Sequence, residues 1–252
     1  MDLASQLINP HSPGAWHFGP AIVEDVPWLQ AACRAGQRAE GVHPFGIHLA
    51  ATEAGRHSAG NMVNRLYQQR GYGAPQPLES HPRRVTLAAS GPGRMLGTVT
   101  LGADTSDGLL ADEIFKAEID AHRRRGARVC EVTKLGIDPG KHSRMALASL
   151  FHVLYLYAHK VYRCTDVFIE VNPRHRRFYE TMLGFRAEAE VRTNPRVNAP
   201  AYLLRASLDA MEEQIARFGG TSEPDGCGRS LYPHFFSSTE AHNIAQRLMA
   251  MN

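Results

Sequence analysis

Glu131 lies in the β-branched, alternating segment RVCEVTKLGI (residues 128–137). On such a strand Glu131, Thr133, Leu135 and Ile137 share one face and Val132 and Lys134 the other, which sets a carboxylate among largely apolar neighbours. Desolvation raises the pKa of a carboxylate so placed and suits it to work as a general base near neutrality; a structural pair with an arginine is the alternative. Cys130 is its strand neighbour and points to the opposite face, as a buried apolar cysteine rather than an acyl-accepting nucleophile. Further on, Lys141 and Arg144 flank the entry DPGKHSR (138–144) to a helix, where free backbone N–H groups and the dipole attract an anion. An ordinary loop with solvated basic residues is the other reading. Arg174, Arg176 and Arg177 crowd the start of a later helix, where each cation opposes the macrodipole by ~0.3–1 kcal/mol. An anionic partner would offset that cost.

The elements that must position these groups follow from periodicity and turn chemistry. Residues 1–60 read as an extension rich in Gly, Ala, Pro and His, with a helix near 26–37 and a loose stretch at 52–61. A domain over 61–218 begins with a helix in NMVNRLYQQRGYG, ended by Gly71 or Gly73, and a loop at Pro75 and Pro77. Strands at 83–90 and 94–103 flank GPG as a hairpin, and a helix covers 108–125. After the strand at 128–137 comes a helix over 145–161 that is apolar nearly all round and must be buried. A strand at 166–171, a helix at 174–182 stopped by Gly184, a strand pair at 185–192 and 201–207, and a helix capped by Ser207 and ended by Gly219 complete the domain. Residues 219–252 are a linker and a helical tail, whose last helix carries a capping box of Ser237 and Glu240. Strands alternating with helices predict an α/β fold, a mixed sheet with helices on both faces.

The 252 residues, 43% hydrophobic and 21% charged, are enough for one enlarged domain. Lys and Arg exceed Asp and Glu by 28 to 25, short of the density of a nucleic-acid binder, and no aromatic residues interleave with HRRRGAR (122–128) as stacking platforms would. The first residues lack the pattern of a secretory signal, and the apolar run 145–157 is too short for a bilayer, so a cytoplasmic protein without a transmembrane segment is expected. Four cysteines without a CxxC pair and thirteen histidines without HExxH predict no metal; His152 and His159, seven apart, could share a helix face.

A family resemblance adds to this reading. In EVNPRHRRFYETMLGF (170–185) a strand ends in Asn172, a helix carries Phe178 and Tyr179, and Gly184-Phe185 leads out. The run resembles the closing βαβ unit of GNAT acyltransferases. With NRLYQQR (64–70) and CEVTKLGI (130–137) it is more closely similar to the N-acyl amino acid synthase family (FeeM type), over about 61–218. The resemblance implies a GNAT-like, mostly antiparallel central sheet. It also implies transfer of a long acyl chain from an acyl carrier protein, or from acyl-CoA, to the α-amine of an amino acid. Nothing is tightly bound, and the acyl-phosphopantetheine thioester is a co-substrate. Because an ammonium has no lone pair, the reaction needs a base, and this role falls to Glu131. Tyr179 matches the general-acid tyrosine of GNAT enzymes, with packing beside Phe178 as the alternative. Arg70, Thr133 and Asn172 fall within the matching motifs and are assigned to substrate binding, Lys141 and Arg144 to the phosphopantetheine phosphate, and Arg174, Arg176 and Arg177 to the carrier protein. Thr133 and Lys134 replace the Ser and Arg of the related lactone synthases, which argues against a lactone product, and the loop 138–147 lacks the Gly-x-Gly of a CoA-binding loop. An acetyl-CoA-dependent N-acetyltransferase and a non-catalytic carrier-binding module are the competing readings.

Overall fold

A computed structural model describes residues 45–72, 77–221 and 229–251. The helix expected near 26–37 lies outside these residues. The short β1 (Gly46–Leu49) runs along β2 (Arg84–Gly91), which turns into β3 (Arg94–Ala103) as the GPG signal requires. Gly93 makes that turn at φ 73°, a conformation glycine adopts without a Cβ penalty. β4 (Val129–Ile137), β5 (Asp166–Val171) and β8 (Ala199–Ser207) continue the sheet, in the order β1-β2-β3-β4-β5-β8-β6. β6 (Arg186–Ala187) and β7 (Arg192–Asn194) both pair with β8. β4 and β5 are parallel, and the other pairs are antiparallel.

The helices lie on both faces. α1 (Glu53–Gln68) packs Leu66 over Gly136 of β4, while α3 (Ser143–Tyr155) packs Leu150 over Gly97 on the other side. α2 (Asp112–Arg124) buries Phe115 and Ile119 against Val129, Phe168 and Leu203, and Cys130 and Val167 face the larger core on the opposite side. α3 is buried nearly all round, as its composition requires, and continues as a π-helical turn over Leu156–Val161. α4 (Pro173–Leu183) is capped by the Asn172 side-chain oxygen Oδ1, which accepts the Arg174 N–H at 3.3 Å, and ends at Gly184 with φ 75°. α5 (Leu208–Phe218) starts at its Ser207 cap.

Several expected boundaries are corrected. The loose stretch at 52–61 is helical: Thr52 caps α1 through its side-chain oxygen, which accepts the Gly55 N–H at 3.0 Å, and buried Ala59, Met62 and Val63 supply the packing that outweighs two glycines. The strand expected at 185–192 is broken into β6 and β7, with the Glu188 side chain between them drawn to Arg205 and His122. The tail is part of the large core. Leu231, Tyr232, Phe235, Ile244 and Leu248 belong to it, the Tyr232 hydroxyl donates to the Leu183 carbonyl at 2.8 Å, and α6 (Ser238–Ala250) carries the expected capping box. His152 does not pair with His159. Buried and pushed down to about 3 by desolvation, it accepts the Phe236 N–H through Nδ1 at 2.9 Å. No helix among the described residues is long and apolar enough to cross a membrane.

Candidate active site

β4 and β5 pair only over residues 129–132 and 166–169. Beyond that point β4 follows β3 and β5 follows β8, so the parallel strands diverge and leave a wedge between them. A bulge drives the divergence: residues 133–136 of β4 oppose 98–100 of β3 with one residue in excess, and Lys134 takes it up at φ 53°. Left-handed backbone tolerates asparagine far better than a β-branched residue. Lys134→Val should therefore destabilise the protein by about 1–2 kcal/mol relative to Lys134→Asn. Both variants lose the charge, so equal melting temperatures would show that the bulge carries no strain.

The wedge is lined from β4 by Thr133 to Ile137, from β5 by Ile169, Glu170 and Val171, from α3 by Leu147, and from α4 by His175 and Tyr179. Tyr67 of α1, with Arg70 and Tyr72 just beyond the helix, closes the top. Asn172, at the end of β5, completes the wall. Arg70, Thr133, Asn172 and Tyr179 are thus brought together from distant parts of the chain.

Glu131 does not join them. It lies in the paired part of β4, 3% exposed, and its carboxylate oxygens accept the backbone N–H groups of Leu110 at 2.8 Å and Ala111 at 3.1 Å. Burial raises its pKa, as expected, while those two hydrogen bonds act the other way. The carboxylate is committed to holding the loop before α2. The alternation that was to place it beside Thr133, Leu135 and Ile137 ends at the bulge, so consecutive residues 132–137 all line the wedge.

Glu170, not Glu131, is the carboxylate that lines the wedge. It stands one residue past the last β4–β5 pair, lines the wedge, and receives an ion pair from Arg196 and a hydrogen bond from Asn194 Nδ2 at 3.3 Å. Burial pushes its carboxyl up to about 7, with the Arg196 guanidinium lowering it and the charges of Glu131 and Glu113 raising it. Tyr179, buried against Phe151, Phe178 and Phe185, has its phenol pKa raised by desolvation and holds its proton at neutral pH. Burial and the charges of Arg174 and Arg70 push His175 down to about 4, so its ring is neutral. Burial, with the like charge of Arg174, also lowers the pKa of Arg70, whose guanidinium donates to the Leu66 carbonyl at 2.9 Å.

The remaining basic residues sit outside the wedge or at its rim. Lys141 is exposed in the loop before α3, whose N-terminus has no side-chain cap. Arg144 reaches the tail, which packs across α3: its Nη2 donates to the Ser230 carbonyl at 3.4 Å. Arg174 donates to the Tyr72 hydroxyl at 2.9 Å, Arg176 binds Glu180 at 2.7 Å and covers the Tyr202 ring, and Arg177 is exposed. His159, Asp209 and Glu212 cluster their ligand-type atoms within 4.8 Å of one another, but none lines the wedge and Lys160 engages Glu212. Tyr72 and Arg196 line the wedge from outside the family motifs, whereas Glu170, Lys134 and Tyr67 lie within them but were given no part in binding or catalysis. The available signals for Glu170 were its place at the head of the run EVNPRHRRFYETMLGF and its being a lone carboxylate in the strand DVFIEV.

A mixed sheet whose central parallel strands diverge, with a titratable carboxylate and a protonated tyrosine at the opening, can hold an extended thioester and deprotonate an amine beside it. Fold and site define an N-acyltransferase with a GNAT-like fold. The profile of the N-acyl amino acid synthase FeeM matches residues 58–207, and the chain belongs to that family. The solved structure of FeeM, an N-acyl amino acid synthase from uncultured soil microbes, is 26% identical, with a TM-score of 0.62 over 69% of this chain and 98% of that one. An acyl-CoA N-acyltransferase from Pseudomonas aeruginosa is 14% identical, with a TM-score of 0.46 over 64% of this chain and 97% of that one. The spermidine N-acetyltransferase of Vibrio cholerae gives 14% and 0.46 over 67% of this chain and 98% of its own. No curated protein matches the sequence.

Proposed function

We propose that the enzyme joins a long-chain acyl group, delivered as a phosphopantetheine thioester on an acyl carrier protein, to the α-amine of an amino acid. The observation that carries this reading is the wedge. Residues 133–137 of β4 and 170–171 of β5 turn unpaired backbone edges toward one another, and an extended arm containing amides can satisfy such groups as a third strand would. The thioester then ends near Glu170 and Tyr179. Glu170 takes one proton from the ammonium, the amine attacks the carbonyl carbon, the C–S bond breaks as Tyr179 protonates the departing thiolate, and the second proton released by the amide nitrogen returns to Tyr179. Departure of the thiolate is the less demanding step, since a thiol pKa near ~8.5 makes a tolerable leaving group. Lys141 and the uncapped N-terminus of α3 are suited to the phosphate. Arg144, bound to Ser230, is not needed there.

The deciding assay supplies palmitoyl carrier protein, palmitoyl-CoA or acetyl-CoA with the twenty common amino acids and identifies amides by mass spectrometry. Long-chain amides formed best from the carrier support the reading, and formation of acetyl amides alone overturns it. The carrier contact has its own test. Arg176 is already paired with Glu180, so exposed Arg177 is the better anchor for an acidic carrier. Arg177→Glu should lower kcat/KM about tenfold with the carrier, far less with palmitoyl-CoA, and the difference should fade as salt rises. Equal losses with both donors would show that Arg177 does not contact the carrier.

A further inference from the structure

Past Lys134 the wedge opens into a second chamber, walled by Thr133, Glu170 and Asn172 on one side and by the turn between β7 and β8 on the other. Arg196 projects from that turn, and its own N–H is fixed by Asn194 Oδ1 at 2.9 Å. Asn194 is itself buried and reaches Glu170 through Nδ2. One terminal nitrogen of Arg196 donates to Glu170; the other donates to the Leu110 carbonyl at 2.8 Å and to Glu113. The guanidinium fork is therefore oriented before any substrate arrives, beside the carboxylate assigned above as the base.

We propose that Arg196 binds the carboxylate of the acceptor while Glu170 takes its ammonium, so that the Glu170–Arg196 pair is a template for a free α-amino acid. The proposal rests on the acyl-transfer reading and names the feature by which the site selects its acceptor. In an α-amino acid the two charged groups are one carbon apart, with the sign order that a carboxylate lying beside a guanidinium complements. The incoming carboxylate takes the position of Glu113. That residue's side chain is 46% exposed, and an ion pair with so exposed a partner contributes little to stability. Lys134, Arg196 and Glu170 line the chamber, Glu113 pairs with Arg196, and a zwitterion adds no net charge on entering. Arg70 is less suited to this role: it lines the first chamber alone and bonds to the Leu66 carbonyl beside Arg174. A polyamine or a protein N-terminus has no carboxylate at this position and leaves Arg196 without a partner from the substrate.

The test compares pooled L-amino acids with the corresponding pooled L-amino acid amides as acceptors, using the donor that the assay above selects. Wild type should prefer the acids. Arg196→Gln should raise their KM about 10- to 100-fold, the effect of losing a charge-assisted pair, bring the acid-to-amide ratio close to one, and leave the donor KM within about threefold. Arg196→Lys, which keeps the charge and loses the fork, should fall between, and Arg70→Gln should keep the acid preference. Equal use of acids and amides by the wild type overturns the proposal and leaves acyl transfer standing. So does an acid preference that survives in folded Arg196→Gln and Arg196→Lys, or one that disappears in Arg70→Gln. Ligand-observed NMR with the twenty L-amino acids needs no donor, and so separates this failure from failure of the transfer reading. Binding to wild type that is lost in Arg196→Gln supports the proposal, and absence of binding to wild type, or equal binding to both, overturns it.

Discussion

Glu170→Gln lowers the rate of amide formation at pH 7 by about 10²–10⁴, the usual contribution of a positioned base. The substitution keeps the size of the side chain and one of its two oxygens, while the other becomes an NH2 facing Arg196 or Asn194, and it removes the basicity. In the wild type kcat/KM for the acceptor should fall as pH drops through about 7, because the carboxyl of Glu170 gains its proton there and can no longer take one from the ammonium. The variant lacks that limb. Its rate should follow the free-amine fraction and rise about tenfold per pH unit toward the amine's own pKa, so the gap to wild type narrows with increasing pH. Stability should move the other way from a structural role. The folded pKa of Glu170 lies above the unfolded value, so the stability it contributes is complete at low pH and is lost as pH rises toward 7. The Gln variant lacks this dependence, so any deficit in its melting temperature should shrink as pH rises toward 7. A near-wild-type rate at neutral pH, or a deficit constant from pH 6 to about 9.5, would remove Glu170 from the proton transfer and leave positioning as the main source of rate.

Glu131→Gln should behave in the opposite sense, losing stability rather than rate. One of its two carboxylate oxygens becomes an amide NH2 facing a backbone donor, either the Leu110 or the Ala111 N–H. Leaving one buried donor without an acceptor costs about 1–3 kcal/mol. In a chain of this length each kcal/mol lowers the melting temperature by roughly 2–4 °C, so a drop of roughly 2–12 °C is expected. At 25 °C the folded variant should keep its rate within about threefold, since the side chain lies outside the wedge. A thermally stable variant with a hundredfold deficit that narrows as pH rises would restore Glu131 as the base.

The contrast between these two glutamates shows how far local pattern reaches. Each sits in one of the two central parallel strands, each is flanked by apolar residues, and each has its pKa raised by burial. What separates them is their place along the strand pair: Glu131 lies opposite Phe168, within the paired stretch, and Glu170 lies one residue beyond its end. A period of two assigns side chains to faces and carries no information about where two strands part. The bulge that parts them depends on Lys134 adopting left-handed backbone, which a lysine does rarely and only where packing around it demands.

The sequence by itself determined the elements whose signals are local. Gly93 in its hairpin, Asn172 and Gly184 at the ends of α4, the Ser207 cap and the Ser237–Glu240 capping box all stand where turn and cap chemistry put them, because each depends on residues within a few positions of one another. The family-bearing run 170–185 was legible for the same reason, and with it Tyr179 and Asn172 in the wedge. The tertiary structure alone decided what depends on long-range contact. It made 53–68 one helix by burying its apolar face, drew the tail into the core through Tyr232 and His152, turned Arg144 toward Ser230, and brought Arg196 from the β7–β8 turn onto Glu170, 26 residues earlier in the chain. Side chains that meet across such separations leave no periodic or capping signal in the chain, because their proximity is set by sheet register and by where β4 and β5 diverge.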